Sequence, residues 1–327
     1  MVLVTGGAGY IGSHMCKVLR DARIEHVVFD NLEKGHERAT GRSPIFFGDL
    51  RDRVSIDRLF SEFEIDAVLH FAAYSEVGES VKKPSQYYRN NVGGTLNLLE
   101  AMGRASVETV VFSSTAAVYG EPDKVPITEA HTTVPTNPYG RTKLQCEQML
   151  ADFDEAYGLR YVALRYFNAA GCDPDGRLGE DHRPETHLIP NVLLSIAGKQ
   201  DTLKLFGSDY DTPDGTCVRD YVHVLDVCSA HLLALKHLQG GGKSRTYNLG
   251  TGSGHSVKEV IKAAEAVTKK KAPVQKAARR PGDPAQLVAS ADKIKKDLKW
   301  KPKYTDLKET IGHAWQWMKE FPGGYDH

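Results

Sequence analysis

The chain has 327 residues, of which 41% are apolar and 26% charged, with 42 basic and 42 acidic side chains. That length suits two packed lobes, each able to bury a core, and the composition excludes a disordered chain. The even charge balance excludes a bulk nucleic-acid or membrane-surface binder, leaving a small molecule as the expected partner.

Five cysteines (Cys16, Cys146, Cys172, Cys217 and Cys228) are irregularly spaced and form no C-x-x-C pair. No disulfide framework and no metal site is expected, and a reducing cytoplasm fits best. The first apolar residues run straight into a glycine cluster, unlike a signal peptide. No apolar run approaches the roughly 18 residues of a membrane span.

In chain order, strands are expected at Met1–Thr5, His26–Asp30, Ile45–Gly48, Ala67–Ala72, Thr109–Ser113 and Arg160–Tyr166. Helical patterns lie between them at Ile11–Ala22, Val54–Glu62, Tyr87–Met102 and Tyr139–Tyr157. This alternation needs a parallel sheet with helices on both faces, and the unbroken apolar strands agree with it. After Gly171 the pattern loosens. Asp173–Pro190 reads as a loop crossing into a second lobe, so residues 1–171 and 172–327 are expected to form two domains. Val222–Leu238 reads as a strand turning into a helix, and the segment near 218–238 is expected to pack back on the first domain. Val257–Thr268 and Leu307–Met318 have amphipathic helical periodicity.

The first strand leads into Thr5-Gly6-Gly7-Ala8-Gly9-Tyr10-Ile11-Gly12, which opens the first helix. Gly6, Gly9 and Gly12 would allow a tight turn, close approach of a pyrophosphate and close helix–strand packing. Glycine-rich turns are common, so the motif is weak alone, but its place at the first strand–helix junction is the confirming context. Asp30 ends the second strand, where a carboxylate can accept from the adenosine ribose of NAD and would repel the 2′-phosphate of NADP. It also suits a plain turn aspartate before Asn31. Asp49, after the third strand, suits either the adenine end or a turn.

Asn137-Pro138-Tyr139-Gly140-Arg141-Thr142-Lys143 reads as a helix start, with Asn137 the cap and Pro138 the first helical residue. Tyr139 and Lys143 then lie one turn apart on one face. A neighbouring ammonium, a positive nicotinamide ring and the helix N-terminus would each favour the phenolate, making Tyr139 a base near neutrality. The spacing alone is more often that of a surface pair. Upstream, a strand ends in Ser113-Ser114-Thr115, and strand ends of an open parallel sheet face the ligand crevice. Thr115 can therefore bond the oxygen that Tyr139 deprotonates, or simply cap the local backbone.

With these residues the chain resembles the extended short-chain dehydrogenase/reductase family, and within it the UDP-galactose 4-epimerases. The resemblance runs nearly end to end, through His70-Phe71-Ala72-Ala73, Asn90-Asn91-Val92-Gly93-Gly94-Thr95, Arg165-Tyr166-Phe167-Asn168, Arg219-Asp220-Tyr221-Val222-His223-Val224 and Arg279-Arg280-Pro281-Gly282-Asp283. It implies a Rossmann-type doubly wound α/β fold with a smaller C-terminal substrate lobe, a bound NAD, and reversible inversion at C4 of UDP-glucose and UDP-galactose through a 4-keto sugar. By resemblance, Tyr139 is the base, with Lys143 and Thr115 beside it. Tyr10, Ile11, Asp30, Asn31, Leu32, Asp49, Leu50, Phe71, Ala72, Ala73, Ser75, Asn90 and Phe167 line the cofactor. Asn168, His187, Leu188, Lys204, Leu205, Phe206, Arg219, Arg279, Asp283 and Leu287 contact the UDP-sugar. Arginines forking onto a diphosphate, and an apolar wall on uracil, make that set physically sensible. Members are commonly homodimers through a helix pair, which Tyr87–Met102 and Tyr139–Tyr157 would supply.

Four positions depart from the family pattern. Thr115 replaces a serine and keeps the hydroxyl; Ser75 replaces a lysine; His187 replaces an asparagine; Leu287 replaces a bulkier tyrosine beside C2 of the sugar. The last leaves N-acetylated or pentose UDP-sugars as alternative substrates. A 4,6-dehydratase needs an acid/base pair after the hydroxyl residue, and Ala116 and Ala117 supply none. A non-catalytic nucleotide-sugar sensor would have lost Tyr139 or Lys143, and both are present.

Overall fold

Val2–Thr5 (β1) is buried along its whole length, as four successive apolar or β-branched residues dictate when both faces of a sheet are covered. The computed structural model describes residues 1–280 and 283–326. Pro281 and Gly282, within the Arg279–Asp283 motif, lie outside the described residues. The other five expected strands form as His26–Asp30 (β2), Ile45–Phe47 (β3), Ala67–His70 (β4), Thr109–Thr115 (β5) and Arg160–Tyr166 (β6). β5 runs two residues further than its pattern suggested, so Thr115 is its last residue.

Tyr10–Asp21 (α1) and Arg53–Glu62 (α2) match their periodicity. The expected helix over Tyr87–Met102 does not form as one piece. Val77–Lys82 (α3) and Pro84–Tyr87 (α4) lead into a π-helical turn at Tyr88–Gly93, and only then does Gly94–Arg104 (α5) begin. The widened turn has a cause in Asn91, whose side chain accepts from the Tyr74 N–H and donates to the Tyr74 carbonyl and to Thr142 Oγ1. Those three bonds tether the chain at that point and offset the poorer helical geometry. Pro138–Tyr157 (α6) starts on the expected cap, with Asn137 accepting from the Gly140 N–H at 2.9 Å, and stops at Gly158 in the left-handed conformation.

After Asn168–Ala170 (β7), the loop expected over Asp173–Pro190 ends at His187, and Leu188–Ile196 forms a helix (α7) that was not expected. Leu203–Phe206 (β8), Val218–His223 (β9) and Val224–Gln239 (α8) follow. Arg245–Leu249 (β10) was not expected as a strand; its charged and polar residues hide a buried pattern, and its partner β6 is remote in sequence. Gly254–Ser256 (β11), Val257–Thr268 (α9), Val274–Ala277 (β12), Gln286–Leu287 (β13), Asp292–Asp297 (α10) and Leu307–Glu320 (α11) complete the chain. A Ser256–Glu259 capping box sets the start of α9.

One sheet of seven parallel strands runs β3-β2-β1-β4-β5-β6-β10. Strand order reverses between β1 and β4, the switch point at which ligands bind an open α/β sheet. One face buries Met15, Cys16 and Leu19 of α1 with Val227, Ala234 and Leu235 of α8. The other buries Ile56, Leu59, Leu98, Met102, Cys146 and Leu150 from α2, α5 and α6. Thus α8 and β10 both return to this sheet after the crossing at Gly171, and the return extends past residue 238. The second lobe joins β7, β9, β11 and β13 in a four-stranded sheet and pairs β8 with β12. Its core is formed by α7, α9 and α11. Among the described residues, no helix is long and apolar enough to cross a membrane.

Candidate active site

The glycine turn sits at the switch point and is shaped by exclusion. Gly6 has φ +71°, and a Cβ there would come within 2.5 Å of the Ala72 amide nitrogen. A Cβ on Gly12 would overlap the Gly6 carbonyl oxygen. The cap of α1 is Gly9, which offers no side-chain acceptor, and the first turn carries no acidic residue. The positive end of α1 therefore presents free backbone N–H groups, the feature that receives a pyrophosphate. These features fit a dinucleotide.

Asp30 clamps this turn: its oxygens accept from the Ala8 N–H at 3.0 Å and the Leu32 N–H at 2.9 Å, holding Leu32 at φ +58°. Burial raises its carboxyl above the ordinary range. Each oxygen keeps a lone pair for a ribose hydroxyl. Asn31 donates to Asp49 at 2.8 Å, and Arg51 on the same carboxylate holds Asp49 down at about 2. Leu50 is buried beside α5. Phe71 stacks 4.6 Å from His231, while Phe71 and Ala72 both donate backbone N–H groups to the Thr5 carbonyl. Ala73 follows, half-buried, and Ser75 is exposed. Ile11 packs against the sheet core. Tyr10 turns its hydroxyl to the Gly171 carbonyl at 2.5 Å, so it ties the turn to the lobe crossing.

At the other side of the crevice, β5 delivers Thr115 and α6 delivers Tyr139 and Lys143, all three buried. Their approach depends on Gly140, where a Cβ would stand 2.5 Å from the Ala117 carbonyl oxygen. The start of α6 therefore presses on the short turn after Thr115. The Thr115 hydroxyl accepts from the Ala117 N–H at 3.1 Å and lies near enough to the Tyr139 phenol to favour its ionised form. The capping role and the phenol contact thus coexist. Tyr139 packs with Tyr74 and Tyr87. Asn90, in the π turn, donates to Asn91 at 3.1 Å.

The expected acidification of Tyr139 by Lys143 is absent among the chain's own groups. Burial pushes the phenol up to about 12, and the nearby Thr115 hydroxyl pulls the other way. Lys143 directs its Nζ to the Ser113 carbonyl at 2.8 Å and lies 4.8 Å over the Phe112 ring. Burial pulls its ammonium down to about 8, against the pull of Cys146 and Glu147. One helical turn of spacing places the pair on one face without fixing where the ammonium points.

Phe167 is buried with Ala116, Val118 and Ala289, and Leu287 packs on the same cluster. Asn168 starts β7 opposite Tyr221. Behind Ser114 lies a buried network that the sequence did not reveal: Arg165 forks onto Glu147, Ser114 donates to Glu147, and Tyr119 links Arg165 to Asn248.

The second lobe gathers part of its expected set. Glu121, Thr136, Tyr210, Arg279, Arg280, Asp283 and Pro284 line a cavity of about 310 Å³. Arg219 pairs with Asp283 and donates to the Pro284 carbonyl at 2.7 Å. Arg279 bonds Asp209 at 2.8 Å and lies 4.2 Å over Tyr210. The Arg280 guanidinium covers Phe206 at 4.1 Å. Arg280, Tyr210, Glu121 and Thr136 were not expected here. Leu205 was, but alternation along β8 turns its side chain into the core, leaving only its backbone toward any ligand, while Lys204 faces solvent. His187 and Leu188, at the start of α7, do not line this cavity. His187 stands instead in a group with Glu180, His182 and Glu185. The expectation of no metal-ligating set rested on cysteine spacing and passed over this stretch.

The family described as "NAD dependent epimerase/dehydratase family" matches residues 2–250. The UDP-glucose 4-epimerase of Halalkalibacterium halodurans is 53% identical over 324 residues, covering 99% of this chain and 97% of the relative. A crystal structure of UDP-glucose 4-epimerase from Brucella ovis in complex with NAD superposes with TM-score 0.94 at 49% identity, over 96% of this chain and 97% of that one. The Bifidobacterium longum enzyme, in complex with NAD+ and UDP, gives TM-score 0.94 at 41% identity over 99% of both chains. With the glycine turn at the switch point and the Tyr139–Thr115 pair at the end of β5, these likenesses place the chain in the NAD dependent epimerase/dehydratase family.

Proposed function

We propose that the chain interconverts UDP-glucose and UDP-galactose by inverting C4 through a 4-keto sugar, with NAD resident in the crevice between β1 and β4. The observation that carries this reading is that the Tyr139 phenol and the Thr115 hydroxyl are buried together across the crevice from a glycine turn built for a pyrophosphate. Bound NAD supplies a reversible hydride acceptor for C4 and, when oxidised, a positive charge that opposes the effect of burial on Tyr139. Tyr139 Oη takes the proton of the 4-hydroxyl, and Thr115 holds that oxygen in line. The keto sugar turns over, anchored through its diphosphate by Arg219, Arg279 and Arg280, and Tyr139 returns the proton to the oxygen now on the opposite face. Ala116 and Ala117, in the turn after Thr115, offer no acid or base for eliminating water, which separates this reaction from dehydration.

We also read residues 1–171 as the cofactor domain and the remainder as the UDP-sugar lobe, with α8 and β10 lent back to the first and β7 paired into the sheet of the second. Exposed Leu96 on α5 and Tyr157 at the end of α6 support a homodimer through that helix pair. Five unpaired, buried cysteines support a cytoplasmic setting. Leu287, packed beside Phe167, gives a specific reason to include an N-acetylated sugar in the test.

The test is to incubate the purified chain with UDP-galactose and, separately, UDP-N-acetylgalactosamine, with no added NAD. Formation of UDP-glucose, and release of nucleotide on denaturation, are expected. Absence of both overturns the reading, and faster turnover of the N-acetylated sugar would reassign the preferred substrate.

A further inference from the structure

Glu180, His182, Glu185 and His187 alternate acid and imidazole within eight positions, on the loop that crosses into the second lobe. One ligand atom from each lies within 4.8 Å of every other. His187 Nδ1 stands 2.6 Å, and His182 Nδ1 3.2 Å, from the same oxygen, Glu180 Oε1. The Glu185 carboxylate is 3.4 Å from His187 Nδ1 and 3.7 Å from His182 Nδ1.

Proximity alone describes any ion-pair cluster; the alignment here is different. Glu180 Oε1, His182 Nδ1 and His187 Nδ1 are sealed from solvent, yet none has a hydrogen-bond partner in acceptable geometry. The Glu180 side chain is 5% exposed, so bulk solvent does not reach it. Polar atoms that crowd one another without pointing at one another share a common target between them. A tetrahedral ion with bonds of about 2.0–2.1 Å needs ligand atoms about 3.4 Å apart. Three of the four quoted separations are near that value, and the shortest needs to open by less than 1 Å. Glu185 is already oriented: its Oε1 accepts from the Thr186 N–H at 2.7 Å and the His187 N–H at 2.8 Å.

We propose that these four residues bind one divalent transition-metal ion, Zn²⁺ foremost, through His182 Nδ1, His187 Nδ1 and one carboxylate oxygen each of Glu180 and Glu185. Two imidazoles and two carboxylates form a borderline donor set suited to zinc, and the two carboxylates balance its charge. Four protein ligands close the coordination sphere, so the ion is structural and takes no part in the chemistry. Its place gives it a use. His187 caps α7 and precedes Leu188, while the His182 ring meets the edge of Tyr10 at 6.2 Å. The ion would pin the start of α7 against the start of α1, across the two lobes. Glu180, His182 and Glu185 also border a cleft of about 560 Å³, which provides access.

The test uses the full chain, stripped with a chelator and titrated with Zn²⁺ alone, with bound metal counted by elemental analysis and affinity by calorimetry. About one ion per chain is expected, with a rise in thermal midpoint on saturation. Replacing Zn²⁺ with Co²⁺ should give the intense visible bands of a tetrahedral site. His182→Asn with His187→Asn should weaken binding at least about 100-fold. If the double variant fails to fold, His187→Asn alone serves, because that side chain is 42% exposed. Binding well below one ion per chain, octahedral cobalt spectra, or unchanged affinity in the folded variant overturns the proposal and leaves the four residues as an ion-pair network.

Discussion

Lys143 donates to the carbonyl of Ser113 at 2.8 Å, joining the helix that carries Tyr139 to the strand that carries Thr115. The bond fixes the relative height of α6 and β5 at the point where phenol and hydroxyl meet. Lysine in this arrangement is a brace as well as a charge. Its removal should displace Tyr139 as well as change the local potential.

Tyr139→Phe removes the proton acceptor and leaves the ring packed against Tyr74 and Tyr87. Turnover of UDP-galactose should fall by about 10²- to 10⁴-fold with the unfolding midpoint nearly unchanged. A coupled assay for UDP-glucose, run beside a thermal melt, checks both. Turnover near that of the parent chain would remove Tyr139 from its assigned role.

Thr115→Val keeps the shape and deletes the hydroxyl that serves both Ala117 and Tyr139. We expect kcat to drop by about 10- to 100-fold, the acid limb of activity to move to higher pH, and KM to change little. Thr115→Ser should restore most of the rate. A Ser variant as slow as the Val variant would show that the methyl, and not the oxygen, is what matters.

Burial holds the Lys143 ammonium down at about 8, so stability should depend on pH with a definite sign. Below that value the lysine is protonated whether the chain is folded or not, and the cost of burying charge is fully present. Between about 8 and the ordinary lysine value of about 10.4 the folded chain has released the proton and the unfolded chain has not, so stability rises with pH. Lys143→Met should abolish a relative rise on the order of 2 kcal/mol between about pH 7.5 and about pH 9.5. Urea midpoints of both proteins at about pH 7.5 and about pH 9.5 measure the difference; parallel shifts in the two would contradict it.

Gly12→Ala places a methyl against the Gly6 carbonyl and opens the turn at its tightest point. The variant should lose most of its resident nucleotide, read as nucleotide released on denaturation, and lose activity in proportion. Full retention of nucleotide would mean the pyrophosphate does not use this turn.

Arg219→Met deletes the partner of Asp283 and the donor to the Pro284 carbonyl. Loss of a forked guanidinium at a diphosphate should raise KM for UDP-galactose, and weaken UDP itself, by about 10- to 100-fold, with a smaller effect on kcat. Isothermal titration with UDP isolates the binding step, and an unaltered affinity there would exclude Arg219 from the diphosphate site.

Local signals made much of this molecule legible. Val2–Thr5 and Thr109–Ser113 read as covered strands because nearly every residue is apolar or β-branched, and α6 announced itself through Asn137 and Pro138. Features made by distant pairing did not show. Asn91 bonds Thr142 across 51 positions and thereby breaks the expected long helix, and nothing beside Asn91 signals that. The Glu147–Arg165 fork joins a helix to a strand, and neither residue alone differs from a surface charge. Arg279 and Arg280 are adjacent, so only the geometry of the loop decides that one covers Tyr210 and the other Phe206. The Glu180–His187 stretch was visible as a spacing, but only its convergence in space makes it a ligand set.

The pairing of Arg245–Leu249 with Arg160–Tyr166 has a bearing on how this protein could be dissected. A fragment severed at Gly171 would bare a raw strand margin along Arg160–Tyr166 and an oily floor where Val224–Gln239 now lies. Such a margin recruits neighbours, so the severed piece should clump instead of standing alone. Anyone wishing to transplant the nucleotide-holding half must graft residues 224–249 along with it.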